Sequence, residues 1–97
     1  MRLKLPSSLK RIEYGVFNGC DNLQEITIPE GVKSISDYAF SDCSNLKEVR
    51  MPASVVSIGN SVFEGCPDLK VILAEKGGRA EKYCYRNGIA YSYAENK

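Results

Sequence analysis

A 23-residue internal repeat constrains the fold of this chain more than any other sequence feature. The stretch from Pro29 to Met51 occurs almost three times, so the same residue types recur at a fixed interval. A period between about 20 and 50 residues is the signature of stacked repeat units. The sequence therefore predicts a solenoid, whose function depends on its surfaces. The aligned columns are Pro6, Pro29 and Pro52; Ile12, Ile35 and Ile58; Phe17, Phe40 and Phe63; Cys20, Cys43 and Cys66; and Leu23, Leu46 and Leu69.

Each repeat divides into three parts. After the proline comes an apolar pair that we expect to be buried, Val32 and Ile35 in the second repeat. A short helical turn is predicted next, with Phe40 and Cys43 one turn apart on the same side. The repeat ends in a strand, 46–51, in which apolar and polar residues alternate. Stacked repeats bring these strands together, so we expect a parallel sheet with one strand per repeat and short helical turns opposite.

These columns resemble those of the BspA-like leucine-rich repeat, in its 23-residue class. The motif L-x-x-I-x-I-P at 23–29 is followed by V-x-x-I-x-x-x-A-F-x-x-C at 32–43, and the resemblance covers about Leu3 to Ala74. It implies a right-handed α/β solenoid with a sheet on one face and short helices or turns on the other. It also implies an adhesin-like protein of a bacterial or protist cell surface, displayed outside the cell, which binds host or matrix proteins.

The repeat pattern stops after Ala74, and a different segment follows. We predict a helix over 79–87, ended by Gly88, and then a last strand in which Ile89, Tyr91 and Tyr93 alternate with small residues. Such a segment would cover the apolar end of the stack. We therefore divide the chain into a leucine-rich-repeat solenoid of about three coils at 1–74, with a partial first strand, and a C-terminal cap at 75–97. The inner side of the helix is predicted to carry Ala80, Tyr83, Cys84 and Asn87.

Composition argues against several functions. The net charge of +1 leaves no basic excess with which to bind nucleic acid. No apolar run approaches the roughly 20 residues that cross a bilayer, so we expect no membrane insertion. The first residues lack the apolar core of a signal peptide, and they match a strand in mid-repeat. We therefore expect a fragment of a longer protein, with an uncapped N-terminal end.

Catalytic and cofactor chemistry have little support in the sequence. The chain has no histidine, so the usual general base and the Ser-His-Asp triad are missing. Glu25 and Glu48 should lie on neighbouring strands, where we expect a solvated ladder of ion pairs rather than a catalytic pair. Gly77 and Gly78 precede a helix without the context of a phosphate-binding loop. We expect no enzyme, no cofactor and no metal.

The four cysteines are expected to be structural thiols. Three of them share one repeat position, as small apolar groups in a stacked core do. Adjacent strands lie about 5 Å apart, so a disulfide between neighbouring coils stays possible on spacing alone. There is neither histidine nor a Cys-x-x-Cys motif to form a tetrahedral metal site. A redox role would need exposed thiols in electropositive surroundings, which the pattern does not suggest.

The outward side of the sheet is the candidate binding face. Inward residues repeat, whereas outward residues vary, as expected if packing fixes one set and a ligand selects the other. We predict an apolar spot near the cap, made by Val71 and Leu73 with Val56 and Tyr93, unless the cap covers them. The candidate face consists of Arg2, Lys4, Glu25, Thr27, Glu48, Arg50, Val71 and Leu73.

Two functions follow from this prediction. A solenoid presents a broad and rigid surface, which suits binding of a protein or a glycan. The alternative is structural: a C-terminal capping fragment of a longer solenoid that self-associates through its uncapped first coil, edge to edge.

Overall fold

Two parallel sheets run along the molecule, and every repeat contributes one strand to each of them. The computed structural model describes residues 2–94, with Arg2 described by its backbone alone. Met1 and residues 95–97, the outer ends of the two predicted segments, lie outside this part. The first sheet begins with β1 (Arg2–Lys4), β3 (Glu25–Thr27), β5 (Glu48–Met51) and β7 (Lys70–Leu73). The second sheet consists of β2 (Arg11–Ile12), β4 (Ser34–Ile35) and β6 (Ser57–Ile58).

The register of the first sheet shows the repeat directly. Arg2 lies beside Glu25, and Glu25 lies beside Glu48, which gives a spacing of 23 residues. The next step is one residue shorter, because Glu48 lies beside Lys70. The predicted parallel sheet of a stacked solenoid is thus confirmed, with a shortened third repeat.

The repeated apolar columns form the core between the two sheets and the turns. The Phe40 ring lies between those of Phe17 and Phe63, with centroids 5.2 and 5.5 Å away and planes tilted by only 13° and 10°. Phe40, Leu46 and Val49 have no exposed surface. Burial of such side chains contributes about 1.5–3 kcal/mol each to folding, so the columns supply most of the stabilising contacts.

The cysteine column combines burial with a hydrogen bond. The Cys43 thiol donates to the carbonyl oxygen of Phe17, and the Cys66 thiol donates to that of Phe40, both at 3.1 Å. All four cysteines are free thiols. Burial raises the pKa of Cys43 from 9.0 to about 11 and also raises the pKa of Cys66. The thiols therefore bind each coil to the preceding one in their protonated form.

The segments opposite the first sheet differ from the predicted helical turns. They form successive hydrogen-bonded turns, in which Gly15, Tyr38 and Ser61 take left-handed φ angles of 57°, 60° and 54° at equivalent positions. The backbone N–H groups of Phe17 and Phe40 donate to carbonyl groups of the next coil, at 2.8 and 2.9 Å. Hydrogen bonding between coils thus replaces the bonds within a turn that a helix would need.

The helix–strand segment after the repeats has the predicted form. Helix α1 (Arg79–Asn87) ends at Gly88, whose φ of 67° and N–H bonds to the Cys84 and Tyr85 carbonyls complete a C-terminal cap. Ala80 and Cys84 are buried and Tyr83 is half-buried, as predicted, but Asn87 is exposed. The Asn87 amide instead donates to the Tyr83 carbonyl at 2.8 Å.

The last strand, β8 (Ala90–Tyr93), extends the first sheet to five strands by pairing in parallel with β7. The Glu81 carboxylate joins it to the helix, accepting from the Tyr93 hydroxyl at 2.9 Å and from the Gly77 N–H at 2.6 Å. These two hydrogen bonds, the Gly77 one first, lower the pKa of Glu81. On the core side, the Tyr83 ring meets Phe63 edge-on at 6.5 Å and closes the phenylalanine column. Strand and helix together cover the end of the stack.

Candidate functional site

The outward side of the first sheet is organised in two rows of side chains that cross its strands. Strand alternation sends one set of residues to the core and the other set to solvent. Among the outward residues, Lys4, Thr27 and Arg50 are exposed, while Glu25 and Glu48 are half-buried. The two rows, in register order, are Arg2, Glu25, Glu48, Lys70 and Ala90, and Lys4, Thr27, Arg50, Ile72 and Ser92.

The placement of Val71 and Leu73 on this face was wrong. Val71 is wholly buried and Leu73 is 1% exposed, because both lie in the core beside Val49 and Met51. Alignment at a constant 23 residues shifted this strand by one position, and a one-residue shift exchanges the two faces of a strand.

The missing residue lies just before the strand. Leu46 and Leu69 are both buried in the same column, but Val49 follows Leu46 by three places whereas Val71 follows Leu69 by two. Lys70 and Ile72 therefore take the outward positions. Lys70 is exposed and Ile72 half-buried, so the face near the cap has one aliphatic side chain beside a cation.

The predicted apolar spot near the cap does not form. Val71 and Leu73 are in the core, and Val56 belongs to the second sheet, where it lines a different cleft. The Tyr93 hydroxyl is held by Glu81, and Lys76 lies 5.6 Å from the centre of its ring. The aliphatic part of the outward face is Ile72 alone among the outward residues of β1, β3, β5 and β7 that the structure describes.

Charge on the outward face is partly paired. Arg50 Nε donates to Glu48 Oε2 at 3.1 Å, which is the ion pair expected from the strand pattern. Glu25 lies directly beside Glu48 in the sheet, and Lys70 lies on its other side. Two carboxylates flanked by cations make a polar surface with both signs of charge. Arg2 holds the next backbone position in this row, but its side chain lies outside the described part.

Strand β8 adds residues to the face that the sequence did not reveal. Ala90 lies beside Lys70, and Ser92 lies beside Ile72. The spacing from β7 to β8 is 20 residues and includes a helix, so no repeat column points to this pairing. Both residues are small, which leaves Ile72 open toward the edge of the sheet.

A pair of exposed tyrosines on the turn side was also missed. Tyr14 and Tyr38 are 69% and 37% exposed, and their rings meet edge-on at 5.8 Å. The two residues occupy different repeat positions, so a search for repeated columns does not pair them. Exposed tyrosine is enriched at protein interfaces, which makes this pair a secondary candidate contact.

Metal-binding and membrane-spanning features can be assessed for residues 2–94. No group of three or more Cys, Asp or Glu side chains is arranged to hold a metal ion within that range. In the same range, no helix has the length and apolarity that crossing a bilayer requires. Gly78 starts α1 with extended backbone and no side-chain cap, in agreement with a simple helix entry.

The two stacked sheets, the 22- to 23-residue coils and the outward polar rows define a leucine-rich-repeat solenoid. The chain belongs to the family described as BspA type leucine rich repeat region (6 copies), whose model matches residues 1–90. The resemblance inferred from the sequence motifs is thereby confirmed.

One solved structure is similar over almost the whole chain. It is a leucine rich cell surface protein from Faecalibacterium prausnitzii A2-165, 32% identical in sequence, with a TM-score of 0.69. The match covers 94% of the present chain and 23% of that protein, so the chain spans about a quarter of its length. Among curated proteins, the comparison found no match.

Proposed function

We propose that the chain is a non-enzymatic binding module of a cell-surface or secreted leucine-rich-repeat protein. Its outward sheet face contacts a protein or a glycan outside the cell. The proposed contact residues are Arg2, Lys4, Glu25, Thr27, Glu48, Arg50, Lys70 and Ile72, where Lys70 and Ile72 replace the two residues that are buried.

The observation that carries this proposal is the contrast between the two sides of each strand. The inward neighbours Ile26, Val49 and Val71 are all aliphatic and at most 1% exposed. The outward neighbours change from carboxylate to cation between Glu48 and Lys70, although packing does not constrain them. Family membership supports a role in protein interaction, and the surface location of the similar solved protein supports an extracellular setting.

A matched pair of charge exchanges tests the proposal. First, an array of extracellular matrix proteins and glycans identifies a ligand for the wild-type chain. The variant E48R/R50E then reverses an ion pair on the outward face without changing the net charge. The variant E13R/R11E does the same to the Arg11–Glu13 pair, at 3.7 Å beside the second sheet.

We expect the outward exchange to weaken binding by roughly tenfold or more, since charge mismatch at an interface costs more than loss of one contact. The exchange at Arg11 and Glu13 should leave affinity unchanged. Equal affinity of both variants for every ligand identified would contradict the assignment of the face.

A second candidate function is structural, and the first coil favours it. Leu3, Leu9 and Phe17 are only partly buried, whereas their second-coil counterparts Val32 and Phe40 have no exposed surface. We propose that this half-covered end pairs with the same end of a second copy, beside β1. Sedimentation at increasing concentration should then show a dimer that Leu3→Lys abolishes. A monomer at all concentrations would contradict this function and leave the binding module untouched.

A further inference from the structure

A cleft of about 600 Å³ separates helix α1 from strand β6 on the side away from the outward sheet face. It exists because the two sheets end differently. In the first sheet, β7 is followed by β8, whereas in the second sheet β6 pairs only with β4 within residues 2–94. Helix α1 spans the gap beside β6 without filling it. The walls include Val56, Ser57, Arg79, Lys82, Tyr83 and Arg86.

The helix side of the cleft is basic. Arg79, Lys82 and Arg86 are three and four residues apart, so they lie along one face of α1. All three are exposed, and none of them has an ion-pair partner among the described residues. The residues that line the cleft include no carboxylate. Arg79 stands in the first turn, where a cation opposes the helix dipole, so helix stability does not explain its presence.

The strand side of the cleft offers backbone acceptors at regular spacing. In the second coil, the Lys33 carbonyl accepts from Val56 N–H at 3.0 Å, and the Ile35 carbonyl accepts from Gly59 N–H at 2.8 Å. The equivalent carbonyls in the third coil belong to Val56 and Ile58, and both residues line the cleft. No backbone N–H in the described part of the chain donates to them. Alternate free carbonyls on an edge strand are a template for one more strand.

One further group extends this polar wall. The Tyr83 hydroxyl accepts a hydrogen bond from the Val62 N–H at 3.2 Å. Burial raises its pKa, so the hydroxyl keeps its proton at neutral pH. That proton is available to a carbonyl or carboxylate that enters the cleft. The nearby Asp37 carboxylate accepts from the Asn60 N–H at 2.8 Å, which directs it to the backbone of β6's own coil.

We propose that this cleft binds an extended acidic segment of a partner protein, which adds as a fourth strand beside β6. Its backbone N–H groups would donate to the Val56 and Ile58 carbonyls, in the manner of β-strand addition. Its carboxylates would meet Arg79, Lys82 and Arg86 through charge-assisted hydrogen bonds. The cleft is a second interaction surface, on a different side of the molecule from the outward sheet face.

The test uses a fluorescein-labelled peptide of alternating threonine and glutamate, and fluorescence anisotropy at low ionic strength. The variant R79Q/K82Q/R86Q removes the cations of the cleft. The matched control, K10Q/K33Q/K47Q, removes three exposed lysines elsewhere and changes the net charge equally. We expect the first variant to weaken binding roughly tenfold and the control to stay within about twofold. Circular dichroism verifies that both are folded.

Two N-methylated peptides separate strand addition from simple charge attraction. One carries the methyl groups on its threonine amides and the other on its glutamate amides, and only one of these sets faces β6 in a paired strand. One peptide should therefore lose binding while the other retains it. Equal retention by both would overturn strand addition. Absence of binding to the wild type, equal losses in the two triple variants, or displacement of the peptide by a more tightly bound heparin-derived oligosaccharide would each overturn the proposal.

Discussion

Phe40 shows what one residue of this repeat contributes. Its ring is stacked between two equivalent rings and has no exposed surface, so it joins three successive coils. Phe17 has the same type and repeat position but only one phenylalanine neighbour, and it is half-buried. The residue columns were predictable because identical side chains recur at one interval. Their hydrogen bonds were not, because a period does not show that the Cys43 thiol points at the Phe17 carbonyl.

Replacement of Phe40 tests the column at this scale. We expect Phe40→Ala to lower the free energy of unfolding by about 3–5 kcal/mol, since the cavity lies between two rings that cannot both close it. Phe17→Ala should cost clearly less because that ring is already partly in water. Urea denaturation followed by circular dichroism measures both. Equal losses for the two variants would contradict the stacked column.

The buried thiols predict a loss of stability in alkali. Burial raises the pKa of Cys43 and of Cys84 from 9.0 to about 11. The unfolded chain therefore releases these protons first, and the free energy of unfolding should fall as pH rises from about 9 to about 11. Urea denaturation at several pH values should show a shallower fall for C43A/C84A than for the wild type.

The reactivity of the same thiols checks this burial independently. At pH 8, Ellman's reagent should modify Cys43 and Cys84 slowly in the native protein and rapidly in denaturant, because only the thiolate reacts. Equal rates in the two conditions would contradict the environment described here and would reopen a redox role.

At the scale of elements, helix α1 was predictable and the repeated turns were not. The bounds of α1 follow from a local pattern, with a glycine at each end and an apolar stripe at Ala80, Tyr83 and Cys84. The turns contain the same apolar spacing, but the N–H groups of Phe17 and Phe40 bind the next coil. That partner is distant in sequence, so a local pattern cannot reveal it. The second sheet was missed for the same reason, since two-residue strands show no alternation.

The joint between α1 and β8 gives a prediction at this scale. Tyr93→Phe removes the hydroxyl that donates to Glu81, so β8 should separate from the sheet more often. We expect faster hydrogen exchange at the Ala94 amide, which donates to the Leu73 carbonyl at 2.7 Å. Tyr85→Phe is the matched control, because Tyr85 is 77% exposed. Unchanged exchange in Tyr93→Phe would show that the hydroxyl does not hold the strand.

For the whole molecule, the period predicted the stack, but the shortened third coil changed which residues reach the surface. A solenoid tolerates a missing residue where a coil enters its strand, because the buried columns on either side keep their places. Leu69 and Val71 are both buried although one residue fewer separates them. Constant spacing cannot detect such a change, whereas the identity of the strand does: an aliphatic pair two residues apart, Val71 and Leu73, matches Val49 and Met51.

Two charge insertions at neighbouring positions test most directly the claim that stacked coils bury one side of each strand and leave the other free for binding. We predict that Val71→Lys lowers the free energy of unfolding by about 4 kcal/mol or more, because it places an unpaired charge in the core. Ile72→Lys should change it by about 1 kcal/mol or less, since that side chain lies on the outward face. Urea denaturation of the two variants decides the matter. A folded, stable Val71→Lys beside an unfolded Ile72→Lys would contradict the register, and with it the binding face.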